Sequence, residues 1–548
     1  TVAGVDFAQC LSNLSNNATI QNFPDQLLDS NGIPTSNASN VTSIGYHLCI
    51  SSCGSGQENF QWSEFSQEFS AWLLPNLALI SQLPFGAQYR IDNLMSALLT
   101  VGSPTLAAYS LFITLLNSRW INRRFYHSVN HPSSRFAVSI LSSLQQTPLR
   151  LHSDRPRLYS LIVPPENDSW WKCFAEFVDY THTWSIASAA SIAWVIVAYL
   201  LTVANSLSNV STHFQSNGEA SGSVWLWLIP IVVGWLQLSP KCDFNRLQAA
   251  YDRADKHSLR TGAIDVHAKM LPASSRRALS ITAREEDVMS PDEYLTPPVF
   301  NYSRSLRWAS TAETICLVFK AASENARNVP FHFGSEHVGF DTNDQKSLEG
   351  AVMLFAQHSE TQSSHWAPGV FTRMAIASCA SLGLQWGTVG AAVIVGWFTP
   401  TTGIGCRTMG YLLYGAISTL IWMMLLMSSV LAHHSAAYSG RLSRSASARI
   451  ALALSHFLRW MGKLCAVINF FLVICTCIFQ YSNFYDRCFC NSSVFSRGLG
   501  GGAYAVIIES ATQIAQAQTA WTGALILACS SSSIFLVLVY LLLDTVPA

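Results

Sequence analysis

Seven stretches of 17 to 25 residues, almost free of charge, recur along this chain of 548 residues. They cover 93–116, 182–204, 224–240, 374–398, 411–432, 464–481 and 521–543. A helix needs roughly 20 mostly apolar residues to cross the hydrocarbon core of a bilayer. A chain this long could instead hold two or three soluble domains, but its composition argues otherwise. Half of its residues are hydrophobic and 12% are charged, against about 25% charged in an average soluble protein. The expected fold class is an all-α integral membrane protein with about seven transmembrane helices. The third run is short and contains Pro230. An eighth apolar segment, 72–86, is broken by Pro75 and Pro84 and reads as re-entrant or interfacial.

Lys and Arg favour the cytoplasmic side of a membrane. The loops after the first, third and fifth runs hold 28 of the 32 basic residues. The other four, Arg90, Arg407, Arg487 and Arg497, fall on the opposite side if there are seven spans. This partition predicts an N-terminus outside and a C-terminus inside. Residue 1 is Thr, and the first ten residues lack both a basic start and a long apolar run. That is the pattern of a mature chain whose signal peptide has been removed, a shortened chain being the alternative.

Two further signals fit this orientation. Sequons at Asn13, Asn17, Asn37, Asn40, Asn209 and Asn491 all lie on the predicted outer side, as N-glycosylation requires. Those at Asn167 and Asn301 fall inside and are expected to stay unmodified. Of the 14 cysteines, Cys10, Cys49, Cys53, Cys406, Cys488 and Cys490 lie outside. Six thiols in an oxidising compartment allow three disulfides in fifteen pairings. Cys49 and Cys53 could close a small loop, whereas Cys488 and Cys490 are too near each other to favour pairing together. The remaining eight cysteines are expected to be reduced.

The chain then divides as follows. Residues 1–66 form a small glycosylated, disulfide-bonded extracellular cap, and 67–117 hold the broken segment and the first span. A cytoplasmic loop covers 118–181, and the second and third spans 182–240. A large cytoplasmic loop occupies 241–373, with helices near its start and at 303–327. Its polar stretch 263–298 reads as flexible and carries Ser280, Ser290 and Thr296 as candidate phosphorylation sites. The fourth and fifth spans lie at 374–432, a cytoplasmic loop at 433–463, and the sixth and seventh spans at 464–548. Within that last segment the outer loop 482–520 has a glycine run at 498–502 that reads as a hinge. Residues 503–520 read as helix, joined to the last span.

Candidate chemistry is sparse. His127 and His131 have the i,i+4 spacing of a helical metal pair, but a surface pair explains them more simply. Asp179 and His182 fit helix capping and interfacial anchoring better than a proton relay. The spans carry almost no ionisable residues, which lowers the case for a proton-coupled carrier. Ser530 to Ser533 form a polar run in the last span. Gly383, Gly387 and Gly390 offer a small-residue face for close helix packing. Trp225, Trp227, Trp235, Trp397 and Trp422 fit interfacial belts. No catalytic residue, metal site or cofactor is expected, and no nucleic-acid partner.

The segments PFGAQYRIDNLMSALLTVGSPTLAAYSL (84–111), LQWGTVGAAVIVGWFTPTTGIGCR (384–407) and FQYSNFYDRCFCNSS (479–493) carry a resemblance over most of the chain. They resemble uncharacterised polytopic membrane proteins of filamentous, chiefly basidiomycete, fungi. The resemblance implies a source and no mechanism, so it assigns no residue a role. Seven spans with the N-terminus outside also match the topology of G-protein-coupled receptors, but the motifs of that family are missing.

These features lead to a glycosylated plasma-membrane protein, not an enzyme, acting as a channel or transporter. A surface sensor or a membrane-organising scaffold is the alternative, and an intramembrane metal-dependent hydrolase is third. Expected partners are lipids, N-linked glycans, a second copy of the chain and a cytoplasmic protein at 241–372.

Overall fold

The structure, a computed structural model, describes residues 6–14, 25–60, 62–87, 89–151, 158, 162, 168–179, 184–208, 218–262, 279–281, 290–328, 366–437, 446–499 and 502–543. It is mostly helical. Six helical stretches among these residues are long and apolar enough to cross a membrane. They correspond to α7 (Ile186–Ser208), α8 with α9 (Gly218–Trp225 and Leu228–Leu238), α12 (Val370–Phe398), α13 (Cys406–Ala437), α14 (Ala446–Tyr481) and α15 (Ala511–Leu543). Their outward faces expose large apolar side chains, among them Ile468 and Phe471 on α14 and Ile534 and Leu541 on α15. Apolar exposure on this scale marks a surface that meets lipid or another protein.

The expected first span is broken. Residues 90–128 form two helices, α3 (Arg90–Gly102) and α4 (Pro104–Ser128), bent by 103°. The cause is local. Gly102 and Ser103 end α3, and Pro104 starts α4 at the position where its missing N–H is harmless.

The neighbours of this pair show where it runs. Gly86, just before α3, takes a hydrogen bond from Thr296 at 3.0 Å. Gly102, at its far end, lies against the Ala466 backbone halfway along α14. From there α4 returns. Thr105 sits at Gln385, midway along α12, while Asn117 receives Arg373 Nε at 3.0 Å at the start of α12. Twelve residues separate each pair of positions, about 18 Å of helix in both cases. Thus α3 and α4 enter and leave the bundle at the same end.

The helix that joins the two ends is α2 (Trp62–Ile80), over the segment expected to be re-entrant. Just before it, Glu58 N–H donates to Asp486 O at 3.1 Å, and the Asn59 carbonyl accepts from Asn483 at 3.2 Å, both at the cap. Just after it, Gln82 accepts from Ser188 Oγ at 2.6 Å, beside the start of α7. Residues 62–80 thus form one helix, apolar over Phe69–Ile80, where a broken segment was expected, and 90–128 form a bent pair where one span was expected. Arg90 accordingly lies at the end that carries most other basic residues, not at the cap.

The cap is a composite of two segments far apart in the sequence. Helix α1 (Phe7–Leu14) packs with residues 25–60 and 482–510 around Leu11, Leu27, Ile44, Leu48 and Val494. A three-stranded antiparallel sheet joins β1 (Leu27–Leu28), β2 (Ser43–Gly45) and β5 (Tyr504–Val506), with Ile44 opposite both Leu27 and Ala505. Residues 504–506 are therefore strand, and the last helix begins only at Ala511. Disulfides join Cys10 to Cys53, Cys49 to Cys488 and Cys406 to Cys490. Cys49 and Cys53 do not pair with each other; each ties a different element.

The opposite end carries a helical layer. Helices α5 (Ser134–Ser143), α6 (Asp168–Val178), α10 (Phe244–Gly262) and α11 (Asn301–Asn328) bury Ile140, Trp170, Trp171, Phe174, Trp308 and Phe319. A short ladder pairs β3 (Arg150–Leu151) with β4 (Leu279–Ser280). Ion pairs fasten the layer to the bundle. Arg124 on α4 meets Glu313 at 2.6 Å, Lys463 on α14 meets Asp292, and Arg459 lies 3.7 Å from the same carboxylate.

Candidate functional site

The polar groups of the bundle converge on the bend at Ser103. Ending α3 at Gly102 leaves carbonyls without helical partners. Tyr414 OH donates to Val101 O at 2.7 Å, and Asn469 Nδ2 donates to Gly102 O at 2.7 Å and to Tyr414 O at 3.1 Å. Starting α4 leaves N–H groups in the same position. Ser103 Oγ accepts from Leu106 N–H at 3.3 Å, and Gln385 Oε1 accepts from Thr105 N–H at 3.2 Å. The Thr105 and Ser418 hydroxyls also donate to Gln385 Oε1. The Gln385 amide donates to Gly415 O at 2.9 Å and to Thr419 Oγ1 at 3.0 Å.

Ser103, Thr105, Gln385, Ser418 and Asn469 are all fully buried. Only Asn469 Oδ1 among these groups lacks a partner, and a buried acceptor left open costs about 1–3 kcal/mol. The break thus brings helix ends, amides and hydroxyls from α3, α4, α12, α13 and α14 to one place at mid-depth. Irregular backbone at this depth is tolerated where protein covers it or a cavity wets it.

Two cavities flank the bundle centre. A narrow cleft of about 30 Å³ is lined by Trp72, Asn76, Tyr199, Gly222, Trp225 and Tyr481, between α2, α7 and α8. Asn76 Oδ1 and Trp72 Nε1 in its wall have no partner. A second concavity, among Thr114, Asn117, Gln145, Asn301 and Ser305 towards the basic end, leaves no room for a water molecule.

One group was missed by the sequence reading. Glu219, in the first turn of α8, is fully buried, and neither carboxylate oxygen has a hydrogen-bond partner. A helix N-terminus favours an anion by about 1 kcal/mol, less than the several kcal/mol that burying a lone carboxylate costs. The sequence did hold a signal. Small residues, Ala220 to Ser223, extend the apolar run at 224–240 back to this glutamate.

Other candidate residues fall in plainer settings. Gly387 lies against Ser531 of α15, where an added Cβ would sit 2.3 Å from the serine side chain, whereas Gly383 and Gly390 face open space. Only one of the three glycines therefore makes a close helix contact. Ser290 and Thr296 are buried, Ser290 capping a short turn and Thr296 bonded to Gly86, so neither is open to a kinase here. Of the stretch expected to be flexible, Leu279–Ser280 form strand β4 and 290–298 are placed, and the Ser280 side chain lies outside the described residues.

Asn13, Asn37 and Asn40 are exposed on the cap, and Asn17 and Asn209 lie outside the described residues. Asn491 is half-buried. Its Oδ1 accepts from Arg407 at 2.9 Å, beside the buried Arg407–Asp486 ion pair, which argues against a glycan there. Trp225, Trp227 and Trp235 are buried between helices and do not form a belt. Helix α4 ends at Ser128, so His127 and His131 share no helical face, and His131 packs edge-to-face against Phe319. No group of three potential metal ligands occurs among the described residues. Asp179 lies 3.8 Å from Lys241, and His182 lies outside the described residues.

No protein-family model, curated protein or solved structure matches the chain.

Proposed function

We propose that this chain is a multi-pass plasma-membrane protein of the carrier type, with the break at Ser103 as its solute site. In this reading the disulfide cap lies outside and the basic end faces the cytosol. Helix α2 is the first span, and α3 with α4 is a re-entrant pair open to the cytosol. Exchanging the roles of these two segments leaves the number of crossings before residue 118 unchanged. The N-terminus stays outside, and the cytosolic share of basic residues rises by Arg90.

One observation carries the carrier reading: a helix pair broken at mid-depth, with its free ends facing amides and hydroxyls from three other helices. Discontinuous helices with exposed backbone ends are a recurrent way to build a solute site within a membrane. The groups at the break bear no fixed charge, which suits a small polar solute. They bond one another, so the arrangement described is closed. Opening the contact between Ser103 and Ser418 frees them for a ligand.

A specific observation favours a second reading. Gly102 packs so tightly on Ala466 that the break has no spare room, as in a sealed scaffold whose cytosolic layer binds a partner protein. Flux of ions, sugars and amino acids into liposomes holding the purified protein separates the two. The carrier reading predicts uptake of at least one solute above a heat-inactivated control, and at least a tenfold loss in Gln385→Leu. Absence of uptake across the panel supports the scaffold.

A further inference from the structure

We propose that Glu219 is a proton-binding site of the membrane region, neutral in the conformation described here and ionised when the contact between α7 and α8 opens. The proposal deepens the carrier reading and rests on it for the use of the proton in transport. Proton binding itself stands apart from that reading.

The argument begins with isolation. Glu219 is fully buried, and neither oxygen is hydrogen-bonded. No lysine, arginine or histidine among the described residues forms an ion pair with it. The elements packed on α8 offer no counter-charge. Tyr199 faces it from α7 and Cys529 from α15. Tyr411 of α13 bonds Ser221 at 3.2 Å, and Cys477 of α14 lies beside Ser221 and Trp225. The one fixed charge of α12, Arg373, is at the basic end, bound to Asn117. Glu64 and Glu68 of α2 have side chains outside the described residues. A carboxyl group in such surroundings is far more stable neutral than charged. Ionisable residues buried within a membrane commonly mark proton or ion paths.

A route for the proton lies next to it. Gly222 and Ser223 follow Glu219 by three and four residues, so they share its helix face. Both touch Tyr199: an added Cβ on Gly222 would lie 2.8 Å from its ring, and Ser223 Oγ is 3.1 Å from its hydroxyl. Tyr199 and Gly222 also line the cleft between α2, α7 and α8. Separation of Tyr199 from Ser223 would extend the cleft by one helical turn and wet the carboxyl. The balance is simple: Glu219 carboxyl releases one proton to water in the open state and regains it before closing.

Infrared difference spectroscopy of the purified protein in liposomes, in H2O and D2O, tests this directly. The proposal predicts a neutral-carboxyl C=O band at pH 7 that is lost in Glu219→Gln and shifted in Glu219→Asp. The aspartate variant retains a titratable group if the glutamine variant does not fold. An unchanged band in both variants overturns the proposal. The solute panel keeps the two ideas apart. A band that depends on Glu219 in a protein without uptake upholds the proton site and contradicts the carrier. Uptake that ignores a pH gradient, with no Glu219 band, upholds the carrier and contradicts the proton site.

Discussion

Ser103 donates its hydroxyl to the Ser418 carbonyl at 3.0 Å, and this bond ties the turn of α3 and α4 to the middle of α13. The bend is thus anchored where a regular helix would have run straight on. Gly102, one residue earlier, makes the anchoring geometrically possible. A Cβ there would lie 2.3 Å from the Ala466 carbonyl oxygen, a backbone atom that cannot swing aside. Gly102→Ala is expected to destabilise the protein by about 2 kcal/mol, the usual scale of overpacking. Thermal unfolding in detergent, read by near-UV circular dichroism, checks it. Ser103→Ala, which loses hydrogen bonds but adds no bulk, should cost about 1 kcal/mol.

The glycine face of α12 gives a contrast within one helix. Gly387→Ala meets Ser531, so a loss of about 1–2 kcal/mol is expected. Gly383→Ala and Gly390→Ala enter open space and should be neutral or slightly stabilising. Adding Ser531→Gly to Gly387→Ala should restore most of the loss. Equal effects at all three glycines, measured in the same melts, would contradict the packing described.

Much of this organisation is legible in the sequence, and the failures have a common cause. The long runs at 182–204, 374–398, 411–432, 464–481 and 521–543 coincide with long apolar helices because span-length hydropathy is a local property. The break at Ser103 is not local in that sense. Gly102, Ser103 and Pro104 are three mild residues in an apolar run, and only Asn469, Tyr414 and Gln385, hundreds of residues away, hold the bend. Trp225, Trp227 and Trp235 read as belts because sequence cannot tell a lipid-facing indole from one packed on a neighbouring helix. The six cysteines that pair could be picked out, but fifteen pairings were open. Contact between Cys49 and Cys488 requires a fold that brings residues 439 apart together.

That long-range disulfide makes a third prediction. Replacing Cys488 by Ser releases the first cap segment from the outer loop and should cost about 2–5 kcal/mol, as loss of a native disulfide often does. Limited chymotrypsin digestion of sealed, right-side-out vesicles should then cut residues 1–60, which hold Phe, Tyr and Leu but no Lys or Arg, faster than in the parent. Cys316→Ser, at the basic end, should leave the rate unchanged.

Glu58 gives the cap a pH dependence of defined sign. Burial first, then the nearby Asp486 carboxylate, push its carboxyl from an ordinary 4.5 up to about 7. The folded cap therefore holds this proton over a range in which the unfolded chain has lost it. Stability from this group is fully present below about pH 4.5 and falls as pH rises towards about 7. Because the group is partly open to solvent, the effect should be on the order of 1 kcal/mol. Unfolding midpoints at pH 5 and pH 8 should differ in the parent and converge in Glu58→Gln.

The placement of Arg90 tests the account most directly. A cysteine introduced there (Arg90→Cys), in a background with Cys379 and Cys475 replaced, can be probed with a membrane-impermeant maleimide on intact and permeabilised cells. If α2 crosses the membrane and α3 with α4 re-enters from the cytosol, labelling appears only after permeabilisation, while Asn31→Cys in the cap labels on intact cells. Labelling of position 90 on intact cells would put α3 at the outer face and contradict the re-entrant pair.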